Sequence, residues 1–222
     1  MLYNCRLFSL KVLNYRFAFT LAEVLITLGI IGVVSALTIP TLVSNYRKSE
    51  VASRLKKFNS IMSQAILMSE NDNGPIEDWM PTGSNNVDLV KWFETYLKPY
   101  VKVTNYTFKP LDGVTNSRNA LSVYLADGSY FRMEKGNCMD LFLDVNGSKP
   151  PNAHGRDWFR FLICSNSPEW CDGRHFCPMI STSAKTREQK LEACKTGDRG
   201  SSCPGLLEYD GWEFKKDYPF RI

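Results

Sequence analysis

AFTLAEVLITLGIIGVVSALTIPTLV, residues 18–43, is the stretch on which the reading of this chain turns. From Phe19 to Val43 there are twenty-five residues, and Glu23 is the only charged one. About 20 consecutive apolar residues suffice for a helix to cross a bilayer, so the segment predicts a spanning helix. A carboxylate inside a span costs roughly 2.5–3.5 kcal/mol on insertion scales and calls for a partner or a task. Gly29 and Gly32 allow close approach of neighbouring helices, as membrane packing favours. Pro40 withholds a backbone N–H and so kinks or loosens the same helix.

Ahead of the run, residues 1–16 carry Arg6, Lys11 and Arg16 and no acid, as a basic leader does. An ordinary secretory signal is cut after its apolar region; here the small residue, Ala18, stands before it. A cut between Ala18 and Phe19 creates an amino-terminal cation four residues from Glu23, and residues i and i+4 share a helix face. On these residues AFTLAEVLITLGIIGVV resembles the prepilin cleavage and methylation motif of type IV pilins and type II secretion pseudopilins. The resemblance implies a membrane prepilin peptidase that cuts after Ala18 and N-methylates Phe19. It also implies that Glu23 pairs with the Phe19 amine of an adjacent subunit and sets filament register, and that Pro40 is the proline this family places in the helix. The family usually has Gly before the cut, so Ala18 predicts slower cleavage. The competing reading is an uncleaved signal anchor with an incidental glutamate.

Removing the three leader cations takes the net charge from +4 to +1, which argues against nucleic acid as a partner. No P-loop, no GxGxxG and no basic stripe interleaved with aromatics is present. Orientation brings two rules into conflict. Arg47, Lys48, Arg54, Lys56 and Lys57 follow the span, so charge bias alone would hold the C-terminal domain inside. The cysteines and the prepilin-like motif place it outside, and that orientation is the expected one.

Cys5 falls in the leader. The remaining cysteines, Cys138, Cys164, Cys171, Cys177, Cys194 and Cys203, form an even set confined to the last third, which in an exported domain reads as disulfides. Six cysteines allow fifteen pairings; short-range closure favours Cys194 with Cys203, and the others stay open. A zinc site at Cys171, His175 and Cys177 with Cys164 nearby competes, though this spacing is a poor match to structural zinc motifs.

Beyond the span, Val51, Leu55, Phe58, Met62 and Ala65 recur at steps of four and three, an amphipathic continuation of the helix. It is expected to stop near Asn71–Asn73–Gly74–Pro75. Residues 87–97 (VDLVKWFETYL) read as a short helix ended by Lys98–Pro99. The period then changes to two: residues 120–125 and 130–133 flank a turn centred on Asp127–Gly128, and residues 139–145 and 157–163 are further strands. The expected organisation is a leader (1–18), a transmembrane and assembly helix (19–43), its amphipathic extension (44–73) and an extracytoplasmic globular domain (74–222). The fold class is α+β: a long N-terminal helix packed on an antiparallel sheet, with a disulfide-stabilised C-terminal region. LADGSYF, DVNGSKPPNAHGRDWF and CPGLLEYDGWEFKKDYPF, at residues 125–131, 144–159 and 203–220, resemble the sheet region and tail of pseudopilin-like proteins.

No cofactor is expected; besides the zinc reading of the cysteine cluster, calcium is a candidate. Asp144, Asn146, Asn152 and Asp157 could offer oxygens to an ion that takes six to eight of them, and the resemblance implies calcium in some pseudopilins. Asx side chains that bond their own turn backbone are the preferred reading. His154 and His175 have no nucleophile at a recognisable elbow, so no enzyme is expected. The exposed-looking aromatic segments 158–161 and 209–212 read as core or subunit contact. The expected function is a structural subunit of a type II secretion pseudopilus or type IV pilus-like filament. Its partners would be other pilin or pseudopilin subunits, the prepilin peptidase, an inner-membrane assembly platform and lipid. A minor tip pilin acting as an adhesin is the alternative, and an anchored extracytoplasmic enzyme the weakest.

Overall fold

A computed structural model of the chain describes residues 19–81, 88–109, 120–165, 171–197 and 201–222. The chain divides into two units, Met1–Val43 and Ser44–Ile222. The described part of the first unit is helical from Leu21 onward and is the apolar start of α1 (Leu21–Asn73). The helix runs on through Pro40, whose missing N–H leaves the Ala36 carbonyl without its usual donor. Two residues earlier, Thr38 donates its hydroxyl to the Val34 carbonyl at 2.9 Å, the usual back-bond of a helical threonine. No residue of the most apolar stretch of this helix is buried, and it is long and apolar enough to cross a membrane.

The second unit is an α+β domain. Its six strands are β1 (Val103–Lys109), β2 (Ala120–Leu125), β3 (Tyr130–Lys135), β4 (Met139–Asp144), β5 (Trp158–Ile163) and β6 (Phe176–Pro178). They lie in chain order, each antiparallel to the next. Strand alternation gives the sheet one apolar face: Val123, Phe131, Leu143 and Phe159 are register partners across β2 to β5, and all are buried. The sheet-facing part of α1 lays Leu55, Phe58, Met62, Ala65, Ile66 and Ser69 against the core, as the stripe predicts. Phe58 is the hub, its ring 5.0 Å from that of Phe161, 5.5 Å from Phe131 and 6.3 Å from Phe176. On the opposite face Arg132, Phe142 and Arg160 are register partners, and both guanidinium groups lie over the Phe142 ring at 5.2 and 5.5 Å.

Helix α1 ends at Asn73, where Gly74 takes φ +83° and Pro75 cannot continue the ladder. A short helix α2 (Ile76–Trp79) follows, and then α3 (Leu89–Tyr96), capped by the Asp88 side chain accepting from the Lys91 N–H. The two are tied by aromatic contacts: Trp79 stacks on Tyr96 at 4.8 Å, and the Trp92 indole donates to the Trp79 carbonyl. The C-terminal region adds α4 (Arg187–Thr196), with a Thr186–Gln189 capping box, and α5 (Cys203–Tyr209). The hairpin turn at Asp127–Gly128 forms as expected, with Gly128 at φ +82° and Asp127 accepting from the Ser129 N–H. Four strands and both anticipated helices stand where the periodicity put them, within a residue or two; β1, β6, α2, α4 and α5 are additional.

Candidate functional site

The N-terminal end of α1 gives Glu23 a partner within its own chain. Its carboxylate accepts from the Thr20 N–H and the Thr20 hydroxyl, each at 2.8 Å, while the Glu23 N–H donates back to the Thr20 hydroxyl at 3.2 Å. This reciprocal pair is a capping box, which satisfies two of the donors that every helix start leaves open. The T-x-x-E pattern before an apolar run is its sequence signature, readable at Thr20–Glu23. Phe19 is 84% exposed, and the large apolar side chains from Leu21 to Val43 are likewise uncovered. A contiguous apolar surface of this extent marks an interaction with lipid or with another protein. Added Cβ atoms at Gly29 and Gly32 would meet nothing within 4 Å. Ala18, the residue before the anticipated cut, lies outside the described residues.

In the domain, Arg54 of α1 reaches across to the sheet. Its guanidinium donates to the carbonyls of Asp127 at 2.9 Å and Val145 at 2.8 Å, and pairs with Glu50 at 2.9 Å. Lys57 pairs with the Asp127 carboxylate at 3.0 Å. Burial alone would raise the Asp127 carboxyl, but the Ser129 and Lys57 donors outweigh it and hold it at about 2. Two turns of the sheet are thus bound to one helix face by residues that read only as surface charge.

The anticipated oxygen cluster does assemble. Asp144 and Asp157 are buried beneath the β4–β5 connection, with Asn146 and Asn152 beside them. Asp157 accepts from the N–H groups of Asn152 at 2.9 Å and Ala153 at 2.7 Å, and from the Asn146 amide at 3.2 Å. Asp144 accepts from the Asn146 N–H at 3.1 Å and the Trp158 indole at 2.5 Å; the Asn152 amide, oriented to donate, reaches it at 3.0 Å. Every carboxylate oxygen therefore faces an N–H, and a cation would have to displace those donors; Asp144 with the Asn146 N–H is a self-bonded Asx turn, whereas Asp157 accepts from residues that precede it. The buried Asn146 Oδ1 is the one oxygen of the group that faces no donor. Among the described residues no group of three or more His, Cys, Asp or Glu side chains is placed to hold a metal ion.

Burial pushes the Asp144 carboxyl from an ordinary 3.8 up to about 6, with the Asp157 charge adding to the rise and the Trp158 and Asn146 donors opposing it. A carboxyl raised on folding favours the fold in acid: its contribution is complete below the unfolded value and is lost as pH climbs through the folded one. Stability is expected to fall by on the order of 2–3 kcal/mol between pH 4 and 6 on this account. Asp144→Asn should flatten that decline in a series of urea unfolding midpoints. An unchanged slope in the variant would show that Asp144 does not titrate in this window.

The cysteines pair as Cys138–Cys164, Cys171–Cys177 and Cys194–Cys203, the last being the pair favoured by short-range closure. All three sulfurs of the competing zinc reading are therefore in disulfides, which leaves no thiolate to ligate a metal. His175 instead contacts the Cys164 carbonyl at 3.1 Å and lies 3.7 Å from Glu70. The aromatic segments go largely to the core: Phe159 and Phe161 are fully buried and Trp212 stacks on Phe161, while Tyr209 is 56% exposed.

Thr20, Arg187 and Arg54, the last expected only as a cation after the span, take structural roles beyond the sequence expectations. Arg187 grips Asp210 and Asp217, each through two N–H donors, and so fixes the C-terminal tail. The tail in turn meets the β4–β5 connection: the Tyr218 hydroxyl donates to the Gly155 carbonyl at 2.6 Å. A Cβ at Gly155 would sit 2.6 Å from the Phe220 ring, so only glycine fits there.

No curated protein and no solved structure matches the chain. Over residues 41–222, which include the whole α+β domain, the chain belongs to the family of unknown function DUF6613.

Proposed function

We propose that this chain is a pilin-like structural subunit, held in the cytoplasmic membrane by residues 19–43 and packed into a type II secretion pseudopilus or a related filament. The observation that carries the reading is the division of labour along α1. From Leu55 to Ser69 the helix is sunk in the domain core, whereas its apolar start is wholly uncovered and carries a single acid in its first turn. Lipid can cover that surface in the free subunit and neighbouring helices can cover it in a filament, so one segment serves both states. An α+β domain stapled by three disulfides suits the oxidising outside of the membrane. The reading assigns no catalytic residue and requires no cofactor; the work is mechanical.

Glu23 has two tasks on this account. In the free subunit it caps its own helix through Thr20, and in the filament its charge neutralises the amine of a neighbour's Phe19. Glu23→Gln separates them, because a glutamine side chain still completes a capping box while losing the charge. Mass spectrometry of the mature chain is expected to start at an N-methylated Phe19 in a cell with the peptidase. Glu23→Gln should keep the chain folded and membrane-bound but cut its incorporation into sheared filaments at least tenfold. A mature chain that still begins at Met1 would sink the pilin reading, and normal incorporation of the glutamine variant would sink the register role.

A further inference from the structure

Arg47, Glu50 and Arg54 of α1, Lys149 and Arg156 from the β4–β5 connection, and Arg221 of the tail line one open cleft of about 470 Å³. Five cations thus surround a single side-chain acid, and that acid, Glu50, is already paired with Arg54 at 2.9 Å. Among the described residues Arg47, Lys149, Arg156 and Arg221 make no side-chain ion pair or hydrogen bond. Like charges gathered around a cavity repel one another unless an anion enters, and guanidinium groups hold the oxygens of a phosphate by paired N–H donors. Pro150 and Pro151 add rigid apolar wall beside the charges, which a bare ion would not need but a glycerol backbone can contact.

We propose that this cleft binds the phosphate of an anionic lipid headgroup. Its source is indicated by the chain itself: Arg47 follows Val43, the end of the apolar run, by only four residues. On the reading of residues 19–43 as a membrane span, on which this inference rests, a basic group at that distance falls in the headgroup layer that flanks the hydrocarbon. Basic residues next to a span draw anionic lipid to it. Extraction of the subunit from the bilayer during assembly would then require this lipid to be released, so the cleft would retain unassembled subunits in anionic membrane.

The test uses the full-length chain in nanodiscs of phosphatidylcholine mixed with phosphatidylglycerol, followed by native mass spectrometry of the lipids it retains. Phosphatidylglycerol is expected to be enriched at least threefold over its share of the disc. The Lys149→Gln/Arg156→Gln double variant should remove most of that enrichment. Lys56→Gln, an exposed cation outside the cleft, should leave it intact. No enrichment in the wild-type chain, or equal losses from the double variant and from Lys56→Gln, would overturn the cleft as a lipid site. Loss of the enrichment when inorganic phosphate is added at millimolar level would reassign the cleft to a soluble phosphate. A chain that fails to enter the discs at all would instead overturn the span reading, a separate result visible before any lipid is counted.

Discussion

Phe58→Ala is expected to lower the unfolding free energy of the chain by about 3–5 kcal/mol, the range for emptying a well-packed aromatic site. The ring is 4% exposed and lies within 6.3 Å of three other aromatic rings, on strands β3, β5 and β6. Phe161 and Phe176 are themselves stacked at 5.6 Å, so removing Phe58 opens a hole against a rigid pair that cannot easily fold inward. Each lost aromatic contact adds about 0.5–1.5 kcal/mol to the area term. Leu67, 66% exposed on the same helix, is the control, and its alanine variant should stay within about 0.5 kcal/mol of wild type. Urea unfolding of the full-length chain in detergent, followed by tryptophan fluorescence, reads both. A loss below about 1 kcal/mol for Phe58→Ala would mean that α1 is not anchored to the sheet through this ring.

The α1 stripe was legible because its information is local. Leu55, Phe58, Met62 and Ala65 declare a helical face by spacing alone, and Gly74–Pro75 declares its end. The four central strands were legible for the same reason, since their alternation is set by what lies above and below each residue. Strand β1 was not. Its residues Val103–Lys109 carry two threonines, an asparagine and a lysine, and they pair on one side only, as the sheet edge, where little has to be buried. Strand β6, three residues long, owes its place to Cys164 donating its N–H to the His175 carbonyl and to the Cys171–Cys177 link beside it.

The candidate site was legible in part. Asp144, Asn146 and Asp157 were grouped correctly because they crowd one turn, yet their neighbours came from afar. The segments at 144–159 and 203–220 read as separate stretches, and the fold brings them together through Gly155, Tyr218 and Phe220. Periodicity cannot anticipate such a contact, because nothing in either stretch refers to the other. Thr20 is the opposite case: its capping role stands in the sequence as T-x-x-E, but the charge of Glu23 drew the reading toward a partner outside the chain. The cap is what the fold shows; on the function proposed above, a charge between subunits would engage Glu23 in a different state, so the two roles are compatible.

Disulfide connectivity is the feature least accessible from sequence, and it carries the other large expected effect. Cys138 and Cys164 close 26 residues of chain and join the β3–β4 turn to the end of β5. Loop-closure entropy assigns such a link about 3–4 kcal/mol. The Cys138→Ser/Cys164→Ser double variant should lose that amount in an oxidising urea titration. The single variant Cys138→Ser should do worse. It frees the Cys164 thiol, whose sulfur lies 4.0 Å from that of Cys171. During folding, before the domain closes over these sulfurs, the Cys164 thiolate can attack Cys171, form a Cys164–Cys171 bond and release Cys177 as the leaving thiolate. That exchange draws the end of β5 onto the wrong partner and frees the β6 sulfur, so the sheet edge loses its link as well. Peptide mapping after alkylation should find Cys177 modified in the single variant and neither Cys171 nor Cys177 modified in the double. If the single variant alkylates only at Cys164 and is no less stable than the double, the two disulfides are insulated from each other, and the Cys138–Cys164 bond contributes through loop closure alone.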